Sequence, residues 1–132
     1  MVTTVERVPM ERELQVVRVR CHGGGSLDEH VALMRDLGED PVLAPGAAVL
    51  LDLRDAMFVL NVGDAERLAG LLADDRVLGA HRVALVVQSG AHYGMARMVC
   101  TLAELRGGDA SAFSDERAAL SWLQAAREAR PE

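Results

Sequence analysis

The side chains able to do chemistry are few, and most of them stand at the ends of apolar segments. Ser89, His92 and Asp52 are the residue types of a nucleophile, a base and an orienting carboxylate. Yet Gln88-Ser89-Gly90 is not a G-x-S-x-G elbow, and no oxyanion motif accompanies it. A strand-to-helix turn at Ser89-Gly90, with His92 in an exposed first helical turn, accounts for the same residues. Cys21, His22 and His30 are metal-ligand types, but they lack C-x-x-C spacing, and Cys100 lies far along the chain in a helical pattern. Cys21 also follows a strand alternation, where a thiol acts as a small hydrophobe. Gly23-Gly24-Gly25-Ser26 could offer backbone N–H groups to a phosphate. It fits neither G-x-G-x-x-G nor G-x-x-x-x-G-K-[ST], and a turn ahead of a capped helix explains it. Met95 and Met98, at helical spacing, are either adaptable core or the floor of an apolar pocket. Arg97, off that stripe, reads as a solvated arginine. All 14 basic residues are Arg, so lysine Schiff-base and P-loop lysine chemistry are excluded. The expectation is a chain with no catalytic residues, no metal and no cofactor.

The elements that position these residues follow from periodicity. Leu14 to Cys21 alternates as a strand, and Thr3 to Val8 is a further strand candidate that a turn at Pro9 to Arg12 would fold into a hairpin. Ser26-Leu27-Asp28-Glu29 is a capping box, followed by an apolar stripe at Leu27, Val31, Met34 and Leu37, with Gly38 as its stop. Ala47 to Leu53 and Val83 to Val87 are nearly continuous apolar runs, as buried strands of a parallel sheet require. Asp64 is placed as the N-cap of a helix with Leu68, Leu71 and Leu72 inward. A helix from Ala91 to Arg106 turns Met95, Met98, Val99, Leu102 and Leu105 inward. Asp109 to Phe113 reads as a short edge strand, and Ser114 as the cap of a last helix carrying Leu120, Trp122, Leu123 and Ala126.

This alternation defines the fold class as α/β. A single, mainly parallel sheet of four to five strands is flanked by helices on both faces, with an antiparallel N-terminal edge strand as its optional addition. The 132 residues make one domain, 1–132. Half of them are hydrophobic, enough for a sizeable core, and no apolar run reaches the roughly 20 residues of a membrane helix. The first 12 residues carry charge and no apolar h-region, so they do not read as a secretory signal. A net charge of −6 argues against nucleic acid as a partner. Two Cys give no disulfide framework, so a cytoplasmic location is expected.

The stretch Val49 to Leu123 resembles the bacterial SpoIIAA-like (STAS-like, STAS/CRAL-TRIO-like) family. The resemblance rests on Val49-Leu50-Leu51-Asp52-Leu53-Arg54, Arg82-Val83-Ala84-Leu85-Val86-Val87, Tyr93-Gly94-Met95-Ala96-Arg97-Met98, and Phe113 with Ala119-Leu120-Ser121-Trp122-Leu123. It implies a helix-flanked sheet, no enzymatic activity, and a role in protein contacts or apolar-ligand binding. The family's anti-sigma-factor antagonists carry Asp-Ser-Ser-Gly at the start of their second helix, with a phosphorylated Ser. The corresponding segment here is Leu60-Asn61-Val62-Gly63, which offers no hydroxyl to a kinase.

Two functional readings follow. One is a non-enzymatic regulatory or protein-interaction module with a regulatory protein as partner. The other is a small apolar-ligand or lipid-binding domain. In open α/β sheets, ligands bind outside the carboxyl ends of strands, where connections diverge to opposite faces. That rule selects Arg54, Asp55, Met57 and Phe58 after one strand, and Ser89, His92, Tyr93 and Met95 after the next. Arg54, His92 and Tyr93 are expected to rim a pocket floored by Met95 and Met57. A small, apolar-rich domain with an edge strand at Asp109 to Phe113 is also expected to form a homodimer.

Overall fold

The computed structural model describes residues 2–10, 14–57 and 60–129, with the side chains of 57 and 126–129 outside that description. The elements run β1 (Val2–Val8), β2 (Val16–Gly24), α1 (Leu27–Glu39), β3 (Ala48–Met57), α2 (Val62–Ala73), β4 (Arg82–Val86), α3 (Ala91–Leu105), β5 (Asp109–Phe113) and α4 (Glu116–Ala129). One five-stranded sheet has the order β1-β2-β3-β4-β5. β1 is antiparallel to β2, and every later pair is parallel.

Strand order decides where the helices go. The crossovers from β2 through β5 all step in one direction, and right-handed connections of that kind place their helices on one face. The core divides accordingly. Val17, Val19, Val49, Leu51, Val83 and Leu85 pack with α1, α2 and α3. The alternate residues Val16, Leu50, Ala84 and Val86 pack with Ala119 and Leu123 of α4. Helices do flank both faces, three against one. The parallel strands therefore have no point at which connections diverge to opposite faces, so that ground for choosing a site is withdrawn.

Capping sets the helix starts. Ser26 accepts a hydrogen bond from the Glu29 N–H at 3.2 Å, and the Glu29 carboxylate accepts from the Ser26 N–H, so the capping box forms as read from sequence. The second helix begins earlier than expected. Asn61 is the N-cap, and Asp64 is the returning N3 residue of a second capping box. For α4 the capping side chain is Asp115, which accepts from the N–H groups of Arg117 and Ala118, and not Ser114. Gly38 lies within α1 and does not end it. A Cβ there would stand 2.5 Å from the Val77 carbonyl oxygen, so glycine lets the helix approach the turn before β4.

Candidate functional site

At the carboxyl end of β3 and β4, on the face covered by α1, α2 and α3, lies a cavity of about 280 Å³. Leu51 and Leu53 of β3, with Leu85 and Val87 of β4 and its exit, form the sheet wall. α1 supplies His30, Leu33 and Met34. Leu60, Leu68 and Leu72 come from α2 and its approach, and Ala91, His92, Met95, Ala96 and Val99 from α3. Leu72, Leu85 and Val99 are buried at its floor, whereas Ala91 and His92 are exposed and mark its mouth. The lining is apolar except for two imidazoles.

Local sequence explains this opening. β3 carries one extra residue between Asp52 and Asp55 opposite Cys21, a bulge beyond which it pairs with β2 alone and no longer with β4. β4 ends at Val86, and the chain turns through Ser89 and Gly90 into α3. Gly90 is the N-cap at φ 88°, a left-handed conformation that favours glycine, and it offers no side-chain cap. The positive end of α3 and its first-turn residues therefore meet the cavity mouth. Inside, His30 is 7% exposed, and burial lowers its pKa from the ordinary value.

The other face of the same strands carries charge. Asp52, 5% exposed, accepts two hydrogen bonds from the Arg54 guanidinium at 2.9 and 2.8 Å and one from the Arg54 N–H at 3.2 Å. Burial alone would raise the Asp52 carboxyl. The Arg54 hydrogen bonds, with the charges of Arg54 and Arg20, outweigh that and hold it below its ordinary range. Arg18 lies 2.9 Å from Glu6 of β1 and 2.6 Å from Glu116 at the start of α4. Asp55 faces His22 at 3.6 Å.

The expected site residues are thus divided. His92 and Met95 line the cavity, and Tyr93 packs half-buried on the adjoining core with the Arg97 guanidinium 6.0 Å from its ring centre. Arg54 does not rim the pocket. It is bound to Asp52 on the α4 face, where Asp55 also lies, and the Gln88 amide donates to the Arg54 carbonyl at 2.8 Å. Ser89 is exposed in the turn before α3. Ser89, His92 and Asp52 are therefore not assembled, since Asp52 and His92 serve opposite faces. Met57 ends β3 with its side chain outside the described residues, and Phe58 lies outside them altogether. Cys21 and His22 diverge by strand alternation. The Cys21 thiol is pushed up to about 11 by burial and the nearby Asp52, and the Cys100 thiol to about 12 by burial and Glu104. Among the described residues no three His, Cys, Asp or Glu side chains gather as a metal site.

Sequence reasoning missed the α1 wall. His30 precedes Met34 by one helical turn, beside the apolar stripe, and that spacing was the available signal. The leucines of β3, β4 and α2 read as ordinary core, because nothing in a single sequence says that the layers part at one end.

The sequence matches no family model and no curated protein. Among solved structures it is similar to an uncharacterised protein of the DUF3478 family with a SpoIIAA-like fold from Shewanella loihica PV-4. The two are 18% identical over 92% of this chain and 93% of that chain, with a TM-score of 0.53. The molecule is thus an α/β domain with an apolar cavity, and its fold is SpoIIAA-like. Among the described residues no helix is long and apolar enough to cross a membrane.

Proposed function

We propose that the protein is a non-enzymatic module that binds a small apolar ligand between the sheet and helices α1 to α3. The apolar cavity at the carboxyl end of β3 and β4 carries this reading. Its volume of about 280 Å³ is nearly twice that of an apolar cavity that holds benzene (roughly 150 Å³), which corresponds to a body of about ten to twelve carbon atoms. A medium-length acyl chain or a fused two-ring hydrocarbon fits that description. Two imidazoles against a wall of Leu, Val and Met give a few orienting polar groups in an apolar site. The non-enzymatic part is supported by the separation of Ser89, His92 and Asp52 and by the commitment of Asp52 to Arg54. The fold is also compatible with a regulatory or interaction module, and ligand occupancy is a natural input for one.

Calorimetric titration with decanoic acid, decanol and naphthalene tests the proposal, using the wild type and Ala96→Phe. Ala96 is a buried cavity-wall residue, and a phenyl group there fills much of the space. Saturable one-to-one binding of at least one probe to the wild type is expected, lost in Ala96→Phe with the unfolding midpoint maintained or raised. Equal binding by both proteins would place the ligand elsewhere, and no binding of any probe would overturn the reading.

A further inference from the structure

We propose that β1 pairs antiparallel with β1 of a second copy across a two-fold axis at Val5, joining two sheets into one of ten strands. This inference is independent of the cavity. β1 is the outer strand of the sheet, and its seven residues pair with β2 in unbroken register. Val2 to Arg7 are all exposed, with Val2 at 67% and Val5 at 43%. The other edge, β5, is five residues long and lies between α3 and α4, which cover its two faces. Proteins usually blunt an exposed edge with proline, charged side chains (lysine above all), a bulge or a covering element. β1 carries two charged residues, Glu6 and Arg7, of which Glu6 is ion-paired with Arg18 of its own subunit. Val2–Val8 contains no proline, lysine or bulge.

The sequence of the strand selects its partner. A two-fold normal to the sheet keeps opposed residues on one face only when it passes through a residue. Centred on Val5, it sets Val5 against Val5, Thr4 against Glu6, Thr3 against Arg7, and Val2 against Val8. The exposed valines then meet valines, and no like charges are opposed. Glu6 already lies 2.9 Å from the Arg18 guanidinium, so its charge is balanced within its own subunit. Centring on Glu6 would oppose two carboxylates. Centring on Thr4 would set Val2 against Glu6 and Thr3 against Val5, so that no valine meets a valine.

Sedimentation across micromolar concentrations, with Val5→Lys, Val5→Cys and Thr3→Cys, tests both the interface and its register. Val5 is exposed in the single subunit, so Val5→Lys should leave the unfolding midpoint of the subunit intact while opposing two ammonium groups in the pair. A dimer is expected for the wild type and a monomer for Val5→Lys. Val5→Cys should cross-link on mild oxidation, because directly opposed Cβ atoms stand about 4.5–5.5 Å apart and little movement closes a disulfide. Thr3→Cys should not, because its two copies would lie about 13 Å apart along the strands. Cys21 and Cys100 are buried and do not compete. A monomeric wild type overturns the proposal, whatever strand of another protein it then accepts. So does a dimer that survives Val5→Lys while Val5→Cys fails to cross-link.

Discussion

His30 and Asp52 are the buried polar side chains among the described residues, and they occupy opposite faces of the sheet. Both have folded-state pKa values below their ordinary ones, of 6.5 and 3.8, so the unfolded chain binds protons first in each case. Stability therefore falls on acidification in two separate windows. The His30 contribution is complete above 6.5 and is lost as the pH drops from there toward its folded value. The Asp52 contribution persists until the pH passes below 3.8. Urea unfolding of the wild type should show stability falling as the pH drops below 6.5, and His30→Leu should flatten that slope. An equal slope in both proteins would assign it to another group. The division of faces also shows what was legible at this scale. Strand alternation puts Leu51 and Leu53 on one side and Asp52 and Arg54 on the other, so parity alone could have separated Arg54 from the cavity. The rule that binding residues follow strand ends leads to the end of the sheet where the cavity lies, with His92 and Met95 in its lining, but it is blind to face.

The element that holds the second face is α4. Its start is fixed by the Asp115 cap and by Glu116, 2.6 Å from Arg18. Its body buries Ala119 and Leu123 over Leu50, Ala84 and Val86. Trp122 is only half-buried. Its ring lies 5.6 Å from that of Phe113, with the Arg82 guanidinium 3.7 Å from its centre. Leu123→Ala should cost about 3 kcal/mol and Trp122→Ala about 2 kcal/mol, because a larger side chain that stays partly wet loses less on truncation. Denaturant midpoints for the two variants would decide it, and a much larger loss for Trp122 would contradict this account of α4. The existence and order of the helices and strands were legible from periodicity, but the rotation of α3 was not. Leu105 is 79% exposed, and Ala96, Val99, Cys100 and Ala103 face inward. Nearly every position of that helix is apolar or small, so its pattern leaves the inward face open. The close approach of α3 to the sheet and α2 selects the small residues.

At the scale of the molecule, the cavity depends on topology. Three successive crossovers lay α1, α2 and α3 side by side over one face, and the layers part where β3 and β4 end. Alternating strands and helices made the parallel sheet and its antiparallel N-terminal hairpin legible. The sequence order of all five strands, and with it the three-to-one division of helices, depends on which strands neighbour one another, and periodicity carries no record of that. The central claim is that this gap receives an apolar ligand. Its most direct test is a methyl-resolved NMR titration of the protein with decanoic acid, decanol and naphthalene. The account predicts saturable shifts, for at least one probe, at Leu53, Leu85, Val87 and Met95, with Val5 of β1 and Leu123 of α4 unmoved. Shifts concentrated on β1 or α4, or none at these four methyl groups at saturating probe, would contradict it.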